Sequence, residues 1–110
     1  YKRQLICLAG FMKILSRSFI KNFKGKILNI HPSLLPKYKG LNTHQRVIFH
    51  KEKYSGCTVH FVNSRLDSGR IILQKKVKIS KFDTAKSLGK KIIIQEHKLY
   101  PRAIKKVFNL

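Results

Sequence analysis

The 110-residue chain lacks any long apolar run and shows no leader-like start. Its apolar stretches, such as residues 5–9 and 92–94, are far shorter than the roughly 20 residues that a membrane helix needs. The opening residues have too short an apolar core, and the wrong flanks, for a signal peptide. No membrane contact is predicted. The length and a hydrophobic content of 43% predict a single domain with a modest core.

Cysteine is also scarce, with Cys7 and Cys57 each inside an apolar run. Neither lies in a CxxC pair or near a group of histidines, so a metal site is not indicated. Buried thiols in a reducing compartment explain this pattern better than a disulfide does. We therefore expect a cytoplasmic protein without a bound metal.

Acidic residues are the rarest of the charged types, with 4 Asp and Glu against 25 Lys and Arg, for a net charge of +21. Such a charge ordinarily suggests a nucleic-acid partner. The basic residues are scattered, however, with no arginine-rich tract and no aromatic residues alternating with them as a base-stacking platform requires. This distribution favours a solvated lysine surface. A basic nucleic-acid-binding module remains the alternative.

The first part of the chain predicts a βαβ unit. Residues 4–9 form a continuous apolar run, which is typical of a strand covered on both faces. Ser16 can cap a short helix to Phe23, and residues 26–30 form a second strand. A right-handed crossover with parallel pairing follows from this order. We expect an α/β fold with a mostly parallel sheet flanked by helices, all within one domain spanning 1–110.

The middle of the chain predicts a loop, a helix and two paired strands. Two prolines and a glycine within residues 31–42 mark a long shaped loop. Thr43 can cap a helix that runs to about Lys53. Residues 57–63 alternate as a strand does, and residues 70–80 form another strand, so the two are expected to pair like a hairpin.

A final helix is predicted from Asp83 onwards, because apolar side chains recur every three or four residues. Pro101 lies inside it and predicts a kink near Tyr100. The expected core face consists of Leu88, Ile92, Gln95, Leu99, Ala103 and Val107, and the opposite face carries Lys86, Lys90, Lys98, Arg102 and Lys105.

Three polar residues stand out as a candidate site. Asn29 and His31 are two apart at the end of a buried strand, so their side chains point the same way, and Asp67 follows another strand. Ligands of open α/β sheets gather beyond the carboxyl ends of the strands. Pro32 restrains His31 to an extended backbone.

These residue types suit acyl transfer from a neutral donor to an amine. An asparagine amide and a histidine ring can stabilise the oxyanion that forms, and Asp67 beside His31 would raise the histidine pKa. The sequence contains no Ser-His or Cys-His motif that would supply a covalent nucleophile. Taken alone, an Asn-x-His pair is more often structural than catalytic.

Four sequence blocks, found in the same order as in a known family, favour a catalytic role for the Asn-x-His pair. They are LAGFMKILS at 8–16, LNIHPSLLPKYKGL at 28–41, LDSGRIILQ at 66–74 and EHKLYPRAI at 96–104. Together they resemble the formyltransferases that use 10-formyltetrahydrofolate, over essentially the whole chain. Within this family the sequence is most similar to the branch that formylates glycinamide ribonucleotide in purine synthesis. Pro32, the first block and the last block carry this similarity. The branch acting on methionyl-tRNA is the alternative.

The resemblance implies a role for each residue of the trio. His31 would be the proton donor, Asn29 would contact the formyl group, and Asp67 would tune His31 and order a water. Glu96 would contact glycinamide ribonucleotide, although a surface carboxylate among lysines explains it equally well. Folate-binding positions would be Asn29, the backbone of Met12, Lys13, Ile14 and Leu15, and the turn Asn63, Ser64, Arg65, Leu66 and Asp67.

The resemblance also shows departures. Asn42 stands where a histidine is frequent, and Lys39 where a proline is frequent. Members of the family begin with a glycine-rich turn that holds the ribonucleotide phosphate, whereas the 6 glycines here are isolated. We therefore expect a partial domain that is inactive alone. It would be a fragment, a truncated gene product, or one piece of a split protein whose N-terminal half is a separate chain.

Overall fold

A computed structural model describes residues 5–9, 26–62 and 69–108. In chain order its elements are β1 Leu5–Ala9, β2 Lys26–His31, α1 Thr43–Phe49, β3 Tyr54–Phe61, β4 Ile71–Lys78 and α2 Ala85–Phe108. The helix predicted at 16–23, the folate-binding segment Met12 to Leu15 and the turn from Asn63 to Asp67 lie outside the described residues.

The strands form a 4-stranded sheet in the order β1-β2-β3-β4. The α/β class is confirmed, and so is the parallel pairing of β1 with β2. Within the described residues the prediction of a mostly parallel sheet is wrong, because β2–β3 and β3–β4 are both antiparallel. The short link between β3 and β4 allows no crossover, and such a link joins strands only in antiparallel fashion.

Several element ends differ from the predictions. Helix α1 ends at Phe49 rather than near Lys53, since Lys51 adopts a left-handed backbone with φ 53° that no helix can continue through. Its N-cap is Asn42, also left-handed at φ 57°, and not Thr43. Strand β3 begins at Tyr54, three residues before the predicted start.

Helix α2 covers the sheet with the face that its periodicity predicted. Leu88, Ile92 and Ala103 are fully buried and Leu99 nearly so, while the lysines of the opposite face are exposed. The helix continues through Pro101. The Tyr100 hydroxyl donates to the Leu28 carbonyl at 3.0 Å and so fixes α2 against the centre of β2.

The start of α2 is held by reciprocal caps. Thr84 N–H donates to Ser87 Oγ at 2.8 Å, and Ser87 N–H donates to Thr84 Oγ1 at 3.2 Å. Asp83 accepts from Ser87 Oγ, from the Ser80 amide and from Lys91 Nζ. These three donors hold the Asp83 pKa down at about 2.

Cys57 confirms the prediction of a buried free thiol, and burial is the main cause that raises its pKa to about 12. No helix in the described ranges is both long enough and apolar enough to cross a bilayer.

Candidate active site at the end of strand β2

Asn29 and His31 lie where β2 ends, and the sheet fixes what surrounds them. The antiparallel register with β3 places Asn29 opposite His60, and His31 opposite Thr58. All of these side chains are buried, with Asn29 8% and His31 2% exposed. Polar groups buried to this degree need hydrogen-bond partners, so the partners decide which atoms face a ligand.

The His31 ring is oriented by the loop that follows it. Its Nε2 donates to the Tyr38 carbonyl over 2.7 Å, because a carbonyl oxygen can only accept. Tyr38 presents that carbonyl from a left-handed backbone with φ 56°, a conformation unusual for a residue with a large side chain. Strain of this kind gathers at sites where geometry matters. The Tyr38 carbonyl therefore sets the direction of the His31 ring.

Thr58 on β3 ties the start of this loop to the sheet. Its hydroxyl donates to the Ser33 carbonyl at 2.7 Å and accepts from the Leu35 amide at 3.1 Å. Gln74 on β4 donates to the Leu35 carbonyl at 2.9 Å and to the Thr58 hydroxyl at 3.0 Å. The residues after His31 are thus bonded to two neighbouring strands.

Helix α1 and the turn that follows it hold the far end of the loop. The Arg46 guanidinium donates to the carbonyls of Leu41 and Lys39. The Tyr38 hydroxyl donates to Glu52 at 2.7 Å. Lys39, where the family often has proline, takes part through its backbone carbonyl, which any residue type supplies.

A cavity of about 470 Å³ opens beside the end of β2, between the loop and helix α2. Glu96 lines it and is half-buried, so it is not a plain surface carboxylate. Burial raises the Glu96 pKa, and the neighbouring His97 opposes that rise. The lining residues are Ile30, Pro32, His44, Gly89, Ile93, Glu96, His97, Tyr100 and Pro101.

His44, near the start of α1, lines the same cavity. Burial lowers its pKa, and the charge of nearby His31 lowers it further. Its Nδ1 is buried and has no hydrogen-bond partner in the part of the chain that the structure describes. Helix α1 thus contributes a half-buried imidazole whose charged form is disfavoured by burial.

The structure describes three of the residues singled out by sequence: Asn29 and His31 are buried at the end of β2, and Glu96 lines the cavity that the intervening residue Ile30 and the following Pro32 also line. Asp67, Met12 to Leu15 and Asn63 to Leu66 are outside the described residues, and their roles stay predictions. Sequence reasoning missed His60. The alternation of β3 predicted that His60 lies on the same side as Thr58, but only the pairing register shows that His60 is opposite Asn29.

Comparison with known proteins gives a consistent picture. The sequence profile described as formyl transferase matches residues 1–104. Phosphoribosylglycinamide formyltransferase of Haemophilus influenzae is 54% identical over 101 residues, covering 92% of this chain and 48% of that protein. The trifunctional purine biosynthetic protein adenosine-3 of Bos taurus is 46% identical over 107 residues, covering 97% of this chain and 11% of that protein.

Solved structures agree with these relatives. The phosphoribosylglycinamide formyltransferase of Bacillus halodurans superposes with a TM-score of 0.88 at 39% identity, covering 94% of this chain and 53% of that one. The chain therefore belongs to the formyl transferase family. It spans about half the length of the single-function relatives that it matches.

Proposed function

We propose that this protein transfers a formyl group from 10-formyltetrahydrofolate to the amine of glycinamide ribonucleotide, a step of purine synthesis. The observation that carries the proposal is the buried pair Asn29 and His31 at the end of β2, where Ile30 and Pro32 of the same segment line a cavity together with Glu96. The names of the relatives support the same acceptor. A reduced, buried Cys57 is compatible with a cytoplasmic location.

In this proposal Asn29 and His31 stabilise the transition state. As the amine attacks the formyl carbon, a C–N bond forms and negative charge develops on the formyl oxygen. Hydrogen-bond donors aimed at that oxygen typically contribute about 3–4 kcal/mol each. The bond from the formyl carbon to the folate nitrogen then breaks, and the proton lost by the amine is returned to that nitrogen. His31 takes part as proton donor, with Asp67 tuning its pKa.

The substrates are assigned to opposite sides of this pair. Glycinamide ribonucleotide would lie in the cavity against Glu96, and the folate against Met12 to Leu15 and the turn from Asn63 to Asp67. One feature of the described residues fits an arriving ligand: Asn29 Oδ1 is buried with no hydrogen-bond partner among them. An unpaired buried oxygen costs about 1–3 kcal/mol, which a substrate N–H can recover.

The test is a formyl-transfer assay on the natural full-length protein. 10-Formyltetrahydrofolate is offered with glycinamide ribonucleotide or with methionyl-tRNA, and the formylated product is measured directly. We expect turnover with the ribonucleotide only. Formylation of methionyl-tRNA alone would move the protein to the other branch of the family, and no transfer to either acceptor would refute the proposal.

A further inference from the structure

Asn29 and His60 form a buried cross-strand pair. They are directly opposite in the β2–β3 register, so their side chains lie on the same face of the sheet. Asn29 Nδ2 and His60 Nε2 are 3.4 Å apart, and His60 is only 2% exposed. The register fixes the face of the sheet on which both side chains lie. A one-residue slip of either strand would turn the side chains of that strand to the opposite face.

The chemistry of the His60 ring decides which end of the Asn29 amide meets it. His60 Nδ1 lies 2.9 Å from the Phe61 carbonyl oxygen, which only accepts, so Nδ1 carries the hydrogen. In the neutral ring Nε2 is then a lone-pair acceptor. The Asn29 group facing it must be the NH₂ and not the oxygen, and this places the buried, unpartnered Oδ1 on the other side of the amide.

The Phe61 carbonyl is itself held in place. A Cβ added to Gly69 would lie 1.5 Å from the Phe61 oxygen, so only glycine lets the two backbones approach this closely. The Phe61 amide donates to the Arg70 carbonyl at 2.9 Å. The β3–β4 pairing also shifts register between Val59 and His60, and such irregularities often re-aim a side chain near a site.

We propose that His60 is a positioning residue that fixes the Asn29 amide for catalysis. One Asn29 N–H is bonded to His60 Nε2, which directs the second N–H to the formyl oxygen and leaves Oδ1 to accept from the amine of the acceptor. This rests on the proposed function for what Asn29 touches. His60 itself contacts neither substrate.

The test compares two substitutions in the natural full-length protein. His60→Phe keeps a ring but removes the acceptor, whereas His60→Gln keeps an acceptor oxygen. We expect His60→Phe to lower kcat by at least tenfold, with Kd for folate and ribonucleotide within threefold of the parent. His60→Gln should recover most of the loss. His50→Phe changes an exposed histidine in the same way and should leave kcat within twofold.

A double substitution separates positioning from an independent effect. If His60 acts through Asn29, Asn29→Ala and Asn29→Ala with His60→Phe have the same kcat within twofold. A further tenfold loss in the double variant would overturn the proposal. So would a His60→Gln variant as slow as His60→Phe while remaining equally folded.

The ring state gives a readout that needs no activity. Nitrogen-15 NMR of the His60 ring should show Nδ1 protonated and Nε2 bare, and Asn29→Ala should shift the Nε2 resonance. A hydrogen on Nε2 refutes the positioning role even if formyl transfer is observed. The predicted spectrum in a protein that transfers no formyl group would uphold the pairing and reject the proposed reaction instead.

Discussion

The paired ends of β2 and β3 and the outer face of α2 are both rich in polar residues, yet they differ in what holds each side chain. At the strand ends, Asn29, His31 and Thr58 are buried, and each forms a hydrogen bond with another residue of the sheet or of the loop after β2. On α2, residues such as Lys90 and Lys98 are exposed. Burial obliges a polar group to be paired, whereas water satisfies an exposed lysine in any rotamer.

This difference explains why the most conspicuous property of the chain, its charge of +21, says little about its chemistry. The candidate site is built mainly from amide, hydroxyl and imidazole groups whose geometry is determined by neighbours. A rigid site and a solvated surface should respond very differently to substitution. The predictions below test that contrast, starting with the largest effect.

Removing the ring of His31 should have the largest effect. His31→Ala is expected to lower kcat by at least roughly a hundredfold, because proton transfer and oxyanion stabilisation are both lost. Folate affinity should change less than threefold. Asp67→Asn carries the same expectation from the family resemblance. Steady-state kinetics and equilibrium binding measure both effects, and kcat within threefold of the parent would remove the residue from the mechanism.

Thr58→Val should weaken the fold at the site. Valine has the same shape but lacks the hydroxyl that joins Ser33, Leu35 and Gln74. Since buried groups lose their partner, the free energy of unfolding should fall by about 2–3 kcal/mol. Denaturant unfolding measures this, and an unchanged m value would show that the comparison of stabilities is sound. A loss below about 0.5 kcal/mol would mean that the hydroxyl is replaceable by water.

Asp83→Asn should give a smaller and pH-dependent effect. The Asp83 pKa is lowered from 3.8 to about 2, chiefly by Lys91, so its stabilising contribution is present above pH 3.8 and is lost as the pH falls to about 2. The variant should be roughly 1 kcal/mol less stable at pH 6, and the difference should shrink below pH 3.8 and vanish only as the pH falls below about 2. Thermal unfolding across that range checks it. Lys91→Met should reduce this dependence without abolishing it, because Ser80 and Ser87 still donate. A constant difference at every pH would contradict the assignment.

Lys90→Gln and Lys98→Gln, on the outer face of α2, should have the smallest effects. Each should leave the unfolding free energy within about 0.5 kcal/mol of the parent and kcat unchanged. Nucleic-acid binding by the parent should be weak and fall steeply with salt, since diffuse charge without base-reading groups gives only phosphate contacts. Sequence-specific RNA binding at physiological salt would instead favour the nucleic-acid module.

How well the sequence predicts a secondary-structure element depends on the length of the hydrophobic repeat in that element. Helix α2 offers a long repeat of apolar positions, and its core face was predicted correctly down to Leu88, Ile92 and Ala103. The short helix α1 was predicted too long, because its end depends on the backbone of Lys51. A lysine side chain has no preference for the left-handed conformation, so the sequence does not predict it at Lys51.

The sequence by itself determined which chemical groups the candidate site contains and which family the chain belongs to. It shows the spacing of Asn29 and His31, the apolar strand that carries them and the family blocks around them. Only the tertiary structure decided their orientation. Which nitrogen of His31 is engaged depends on a carbonyl seven residues away, at Tyr38. Which end of Asn29 faces His60 depends on a strand pairing across 31 residues. Local propensity acts over one or two turns of chain, whereas these contacts arise from sheet register, and register is settled only when the whole core packs.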